Sequence, residues 1–582
     1  MKRAGLAMVA VLAAALAACS GVPTTSAPQA VEALDTGDGN TQVSVAPREG
    51  DARQIVGYFL DENGATGVAH PAARAYLTTA ANNRWSEDTA TIIANEPTIS
   101  TFDEQDNDSA TVTVLGRVLG TLNARTGIYT PSLQGDGQGG DRQRFVFHLV
   151  KLDNGLWRID RPPQGLLLSD EQFRDTYRQQ VLYFYDLNED RLVPDLRWSA
   201  QDDRVQLAQW LLTLLVDGPR PDLAGAVSPD TMPAHIDPTR ISVQLGTPTL
   251  IEIPGSSQLD AEVRDRLAAQ ISQTLIEVLS GREMSITDNQ VPVQIPSVVG
   301  TVFDASDFTT SVGPPVPTSK VFYLTGGKVR DDSGSPVAGP LGDGSYFLSA
   351  VAIGQPKPDA PELAAGLIGS GSTAQLYVGS VRDGLNATRI RGALSRPAFA
   401  PGRAEVWVGA GSRLYRVDLA GAKPRVYPVQ IVTGGGRILA LRISPDGSRI
   451  AMAIASATGK GQLYVGSVVR GAGQVRVDGL QQPISPVGVV VTDVAWLDPV
   501  KLFAIGYLVG SQDTRSFETG VDGTDWTNST VNLPDPPDSV TAATSSNVWV
   551  SANGYVWELS GTTWTSPGGT GQTAGTQPVY LD

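Results

Sequence analysis

A repeat in the C-terminal half constrains the fold more than any other feature of the chain. Three stretches share one pattern: "PAFAPGRAEVWVGAGSRLYRVDL" from Pro397, "LRISPDGSRIAMAIASATGKGQLYVGSV" from Leu441, and "VAWLDPVKLFAIGYLVG" from Val494. Weaker copies begin at Tyr346 and Val540. Each unit reads as strand, Pro/Gly turn, strand, looser loop, strand. The equivalent positions Ala400, Ser444 and Leu497 lie 44 and 53 residues apart, and a four-stranded propeller blade takes about 40–50 residues. Apolar and polar residues alternate within the strands, as half-buried sheets require. Residues 318–582 are therefore expected to form an all-β propeller of five or six blades. Its ring would close when the "PVYLD" at 578–582 pairs with an early strand. A β-sandwich or a β-solenoid is the competing architecture.

The N-terminus sets the cellular context. Met1-Lys2-Arg3 is basic, Leu6 to Ala17 is apolar and uncharged, and small residues follow. That is the layout of a secretory signal. The apolar run is too short for a membrane span, which needs about 20 residues. Cys19 is the single cysteine of the 582-residue chain, and Leu16-Ala17-Ala18-Cys19 resembles the bacterial lipobox. On that reading residues 1–18 are a lipoprotein signal peptide, and Cys19 carries an S-diacylglyceryl group and an N-acyl chain. More than one acyl chain is what stable anchoring takes. The protein is then held to the membrane by lipid, on the extracytoplasmic face. Residues 19–50, rich in Ser, Thr, Pro and Gly, read as a flexible tether. With no second cysteine there is no disulfide, so stability must come from apolar cores. The formal net charge of −16 repels phosphate backbones and disfavours nucleic acid as a partner. It equally disfavours broad adhesion to anionic lipid.

Two α+β modules are expected between tether and propeller. In residues 51–170, Asp51 is a candidate N-cap for a helix with Ile55, Tyr58 and Phe59 on one face. "PAARAYLTTAANNRW" reads as a second helix, and alternating strands follow, ending at Trp157 after a "DNG" turn at 153–155. This order resembles an NTF2-like cone. In residues 175–300, "QVLYFYDL" reads as a strand and Asp202-Asp203 open a helix whose apolar face is Val205, Ala208, Leu211, Leu212 and Leu215. Two strands follow, then a helix with Val263, Leu267, Ile271, Leu275 and Leu279, then a hairpin, giving β-α-β-β-α-β-β. Residues 301–317 read as a linker.

Chemical motifs are sparse. His70, His148 and His235 are far apart in sequence, with no i, i+4 partner, and without Cys ligands a structural zinc site is not expected. The GxSxG and P-loop patterns are missing. Gly135 to Gly140 fits GxGxxG, but a strand follows where a dinucleotide fold needs a helix. Asp186, Asn188 and Asp190 imitate an EF-hand start, with Arg191 where Gly is required and Arg197 where the bidentate Glu should stand. The acidic run Asp103, Glu104, Asp106 and Asp108 reads as a solvated loop. Trp85, Trp157, Trp198 and Trp210 are expected in cores. Trp549, Trp557 and Trp564 are expected to pack a blade, or else to offer a partner or a glycan a stacking face. No catalytic residue, metal site or cofactor is expected.

Taken with these residues, "LAACSGVP", "IVGYFLDENG", "AARAYLT", "GLWRIDRPPQGLLLSDEQFRDTY" (155–177), "VLYFYDLNEDRLVPDLRW" (181–198), "LLTLLVDGPRPDL" and "VRDRLAAQISQTLIEVLSG" resemble the actinobacterial lipoprotein LpqB family. The resemblance implies a GerMN domain at 175–300 and the family's propeller after it. It also implies an accessory of two-component signalling rather than an enzyme. Its partner would be the ectodomain of an MtrB-type sensor histidine kinase, with envelope homeostasis and division downstream. Two other readings stand beside it. One is an envelope lipoprotein that binds a cell-wall ligand, glycan or peptidoglycan. The other is a propeller enzyme, which would need axial His or carboxylate clusters, and the C-terminal half contains no His.

Overall fold

A computed structural model describes residues 47–582, apart from 66–68, 133–141, 189–190, 229–235, 312–319, 456–458, 472–473, 481, 487, 512–513, 529–535 and 568–571. The signal segment, Cys19, all but the end of the tether, the glycine-rich loop at 135–140, Asp190 and His235 lie outside the described residues.

The first module opens with α1 (Ala52–Asn63). Asp51 accepts from the Gln54 amide while the Gln54 side chain accepts from the Asp51 amide, a reciprocal cap. Its inner face buries Ile55, Val56, Phe59 and Leu60. The expected second helix is two short ones, α2 (Pro71–Arg74) and α3 (Thr79–Asn82). Between them the chain extends to join a sheet edge: Ile159 N–H donates to the Tyr76 carbonyl, and Thr78 N–H donates to the Ile159 carbonyl. These two tertiary bonds outcompete continuous helix. Strands β1 (Thr89–Asp106), β2 (Ser109–Asn123), β3 (Ile128–Pro131), β4 (Gln143–Lys151), β5 (Trp157–Arg161) and β6 (Leu166–Ser169) make one sheet, in the order β5-β4-β2-β1-β6, with β3 also on β2. The β4–β5 hairpin turns at the predicted "DNG", with Gly155 at φ 83°. β6 runs parallel to β1, where the sequence shows only a connection, and Ser169 then caps α4 (Asp170–Thr176). Phe59 packs edge-on to Trp85 and Phe147, at 5.4 and 6.0 Å between centroids. The module's core runs on past residue 170, through Phe173 and Tyr177.

The middle module holds β7 (Arg178–Tyr185), β8 (Leu192–Ser199), α5 (Arg204–Asp217), β9 (Ser242–Gln244), β10 (Thr249–Glu252), α6 (Ala261–Leu275), β11 (Met284–Asp288) and β12 (Val291–Pro292). Its order is thus the expected one with β8 added. β7 and β8 form a separate two-stranded ribbon, and the other four strands make a sheet ordered β12-β11-β10-β9. The α5 face of Ala208, Leu211, Leu212 and Leu215 is buried against the α6 face of Leu267, Ile271 and Leu275. The expected linker begins as part of this module: Phe303 and Phe308 are buried in the same core, edge-on at 5.7 Å, and Phe303 exchanges backbone bonds with Met284.

Six sheets follow among the described residues. The first joins Val321–Thr325 and Lys328–Asp331 to Thr576–Tyr580. The others span Leu348–Arg391, Ala398–Val429, Arg437–Asp478, Val489–Asn528 and Pro537–Thr565, each an antiparallel succession of at least four strands. The innermost strands neighbour one another in turn, and Thr576–Tyr580 neighbours the sixth sheet, so the ring closes. Closure takes the form expected: the C-terminal strand pairs antiparallel with Val321–Thr325, Tyr580 opposite Val321. Apolar layers fill the spaces between successive sheets, for example Val406, Val408 and Phe399 against Ala350, Ala352 and Leu376.

One strand welds the three modules into a single compact body. Every residue of β8 is buried. Leu192 and Val193 belong to the middle core, Leu196 to a propeller core and Trp198 to the first module's core. The Trp198 indole lies tilted against Phe173, at 4.9 Å between centroids, and donates its Nε1–H to Asp522 of the propeller at 2.9 Å. Arg449 of the propeller donates to the Pro194 carbonyl at 2.5 Å.

Candidate functional site

The innermost strands of the propeller converge on a cavity of about 570 Å³ at one end of the axis. Each sheet contributes to it, because each inner strand ends there. Its depth is charged. Arg396 enters from the irregular segment just before the strand at Ala398, Arg442 from the fourth sheet, and Asp493 from the fifth stands behind them. Asp493 Oδ2 accepts from Arg396 Nη1 at 2.8 Å and from the Val540 amide at 2.9 Å, and Arg442 Nη2 lies 3.8 Å away. Arg396 Nη2 donates to the Pro578 carbonyl at 3.1 Å, and Arg442 Nη2 to the Val540 carbonyl at 3.3 Å. Two guanidinium groups therefore share one carboxylate, tied to carbonyls of neighbouring strands.

Asp582 completes the charged set. Burial pushes its carboxyl up to about 7, against the opposing pull of Arg442 and Arg396. Burial also lowers Arg396, to about 9; Arg442 adds to this, and Asp493 and Asp582 oppose it. The wall is apolar and aromatic, with Phe399, Trp496 and Leu581. At the mouth stand Lys357 and Arg191, the latter from the β7–β8 turn of the middle module. A second cavity, of about 330 Å³, lies in the seam between first module and propeller, lined by Tyr129, Phe173, Trp526 and Asp525 among others. Burial and the neighbouring Asp522 raise the Asp525 carboxyl, with Arg174 pulling the other way.

Two models of one family match the chain on either side of the middle module. "Lipoprotein LpqB, N-terminal domain" covers residues 46–174, and "Lipoprotein LpqB beta-propeller domain" covers residues 326–580. Lipoprotein LpqB of Rhodococcus jostii (strain RHA1) is 26% identical over 444 residues, covering 71% of this chain and 69% of its own length. The Mycobacterium tuberculosis (strain CDC 1551 / Oshkosh) protein of the same name is 28% identical, covering 68% of each. The chain belongs to the LpqB lipoprotein family. Among solved structures, TolB from Acinetobacter baumannii is similar over 46% of this chain and 68% of its own, at 14% identity and a TM-score of 0.29. That likeness supports nothing further; the propeller rests on the ring of sheets and on the LpqB propeller model. Both of these LpqB relatives are named as lipoproteins. No helix among the described residues is long and apolar enough to cross a membrane.

Within this LpqB-family body the residues singled out by sequence are dispersed. His70 pairs with Glu87 at 2.7 Å, as a structural tie beneath α2. His148 faces outward on β4 beside Thr111, at 3.2 Å. Asp186 brackets the β7–β8 turn: it accepts from Asn188 at 3.4 Å and from the Arg191 amide at 3.3 Å, which is a turn rather than a calcium loop. Trp549 and Trp564 are buried in two separate propeller cores and Trp557 packs against the core of Trp564; these rings hold the sixth sheet. The axial set of Arg191, Arg396, Arg442, Asp493 and Asp582 carries no sequence motif. Its members come from five separate segments, and the one available cue was Arg442 inside the apolar run "ILALRI".

Proposed function

We propose that this protein is a lipid-anchored, extracytoplasmic accessory regulator of an MtrB-type sensor histidine kinase, acting by contact rather than by catalysis. Membership of the LpqB family, with relatives named as lipoproteins, supports an envelope setting. The observation that carries the contact mechanism is the weld at β8. On this reading an NTF2-like first module, a GerMN middle module and a six-bladed propeller act as one body, so that binding at one face would be felt at the others. An anchor at Cys19, bearing diacylglyceryl and N-acyl chains, confines that body to the membrane plane and raises its effective concentration beside a kinase ectodomain. Signalling shifts if the body binds one kinase conformation better than the other.

Two measurements test this. Deleting the gene should change phosphorylation of the cognate response regulator, and the purified body should retain the kinase ectodomain on a column. Unchanged phosphorylation together with no retention overturns the regulatory role. The anchor is tested separately. Cys19→Ser should move the protein from the membrane fraction to the soluble one, and an unchanged membrane fraction overturns lipidation at this residue.

A further inference from the structure

We propose that the axial cavity binds a small organic carboxylate, with its charged end at Arg396 and Arg442 and its body against Phe399, Trp496 and Leu581. This goes beyond the regulatory role and does not depend on it. The cavity's size, about 570 Å³, is within the range of small-molecule sites, about 300–1,000 Å³. Its charge runs against that of the molecule. The chain carries −16 overall, yet Arg191, Lys357, Arg396 and Arg442 line this one space, with Asp582 beside them and Asp493 behind. A walled recess focuses such a field and concentrates anions.

Hydrogen bonding points the same way. Arg396 Nε and Arg191 Nη1 are both buried without an acceptor among the described residues, although the Arg396 side chain is only 11% exposed. Both side chains line the cavity, and an occupant settling against them can supply the acceptor that these buried donors lack. The planar fork of arginine fits a carboxylate in particular, and the aromatic wall calls for a body attached to it rather than a bare ion. Because Arg191 belongs to the middle module, an occupant would touch two modules at once.

The groups facing the site are Arg191, Lys357, Arg396, Arg442, Asp493, Asp582 and Tyr580. Protonation of Asp582 around pH 7 removes a negative charge from the cavity, so carboxylate affinity should rise as pH falls from 8 to 6.

The test titrates the full chain in detergent with benzoate, hexanoate and N-acetylalanine. Neutral benzamide and inorganic phosphate are the comparisons, with heat of binding and thermal midpoint as readouts. At least one carboxylate should bind saturably and raise the midpoint, while benzamide and phosphate do not. Arg442→Gln should weaken that binding at least tenfold. Arg191→Gln, at the mouth and outside the Asp493 network, should weaken it several-fold and covers the case in which the first variant fails to fold. Asp582→Asn should tighten binding at pH 8 and remove its pH dependence. Equal binding of benzamide, equal binding of phosphate, no saturable binding by any of the three carboxylates, or unchanged affinity in both arginine variants each overturns the proposal.

Discussion

At the scale of residues, the axial network concentrates risk on single groups. Asp493 is 3% exposed and is the shared carboxylate of Arg396 and Arg442. Asp493→Asn would leave two buried cations facing each other, and stripping one partner from a buried pair costs about 3–5 kcal/mol. A fall of that size is expected in chemical denaturation. Asp582 makes stability depend on pH. In the unfolded chain its carboxyl releases a proton near the ordinary 3.8, and in the folded chain near 7. Between those values the folded state holds the extra proton, so stability falls as pH rises and levels off above about 7. Denaturation midpoints of the parent at pH 5 and 8 should show this contribution, and Asp582→Asn should lack it. Trp198 is a third such point. Trp198→Phe keeps an aromatic ring beside Phe173 but takes the indole donor from buried Asp522, and an unsatisfied buried group costs about 1–3 kcal/mol. A loss in that range, with near-native circular dichroism, is expected.

At the scale of elements, β8 is the instructive case. Its sequence "LVPDLRWS" lacks the clean alternation of a half-buried strand and carries Pro, Asp and Arg, so periodicity passes over it. Tertiary structure accounts for each of those residues. Asp195 and Arg197 pair at 2.8 Å in a site where both are buried, and the remaining donors of Arg197 reach the Thr126 carbonyl of the first module and the Gly218 carbonyl after α5. Asp195 also accepts from the Arg220 amide at 2.8 Å. The Pro194 carbonyl receives Arg449 of the propeller. A strand with three cores around it has no solvent side, and its polar groups are spent on neighbours. Arg197→Ala should therefore destabilise by about 3–5 kcal/mol. It should also speed amide exchange around Trp198, whose N–H donates to the Gly127 carbonyl at 2.8 Å. Helices were easier to read. α1, α5 and α6 show their apolar faces at a spacing of 3 to 4 residues, and caps at Asp51 and Asp203 mark two of their starts. The stretch 71–85 was not legible as two helices, because the break is made by bonds to Ile159, some 80 residues away in the chain.

At the scale of the whole molecule, closure of the ring is a contact between the two ends of the propeller. Thr576–Tyr580 pairs with Val321–Thr325 and carries Val579, Tyr580 and Leu581 into the cores. Truncation after Gly575 should open the ring and broaden thermal unfolding, with new exposure of apolar surface that a hydrophobic dye would report. The parent, welded at β8, should unfold in a more cooperative transition.

The sequence by itself determined what local spacing can carry: repeated sheets at blade-like intervals, the main helices with two of their caps, and the hairpin turn at 153–155. Periodicity and turn chemistry act over a few residues and need no partner to be visible. The β8 weld, the burial of Phe303 and Phe308, and the axial cavity with its shared carboxylate were decided only in three dimensions. Each depends on groups tens to hundreds of residues apart whose burial, and hence whose charge and hydrogen bonding, exists only once the modules and the ring have closed around them.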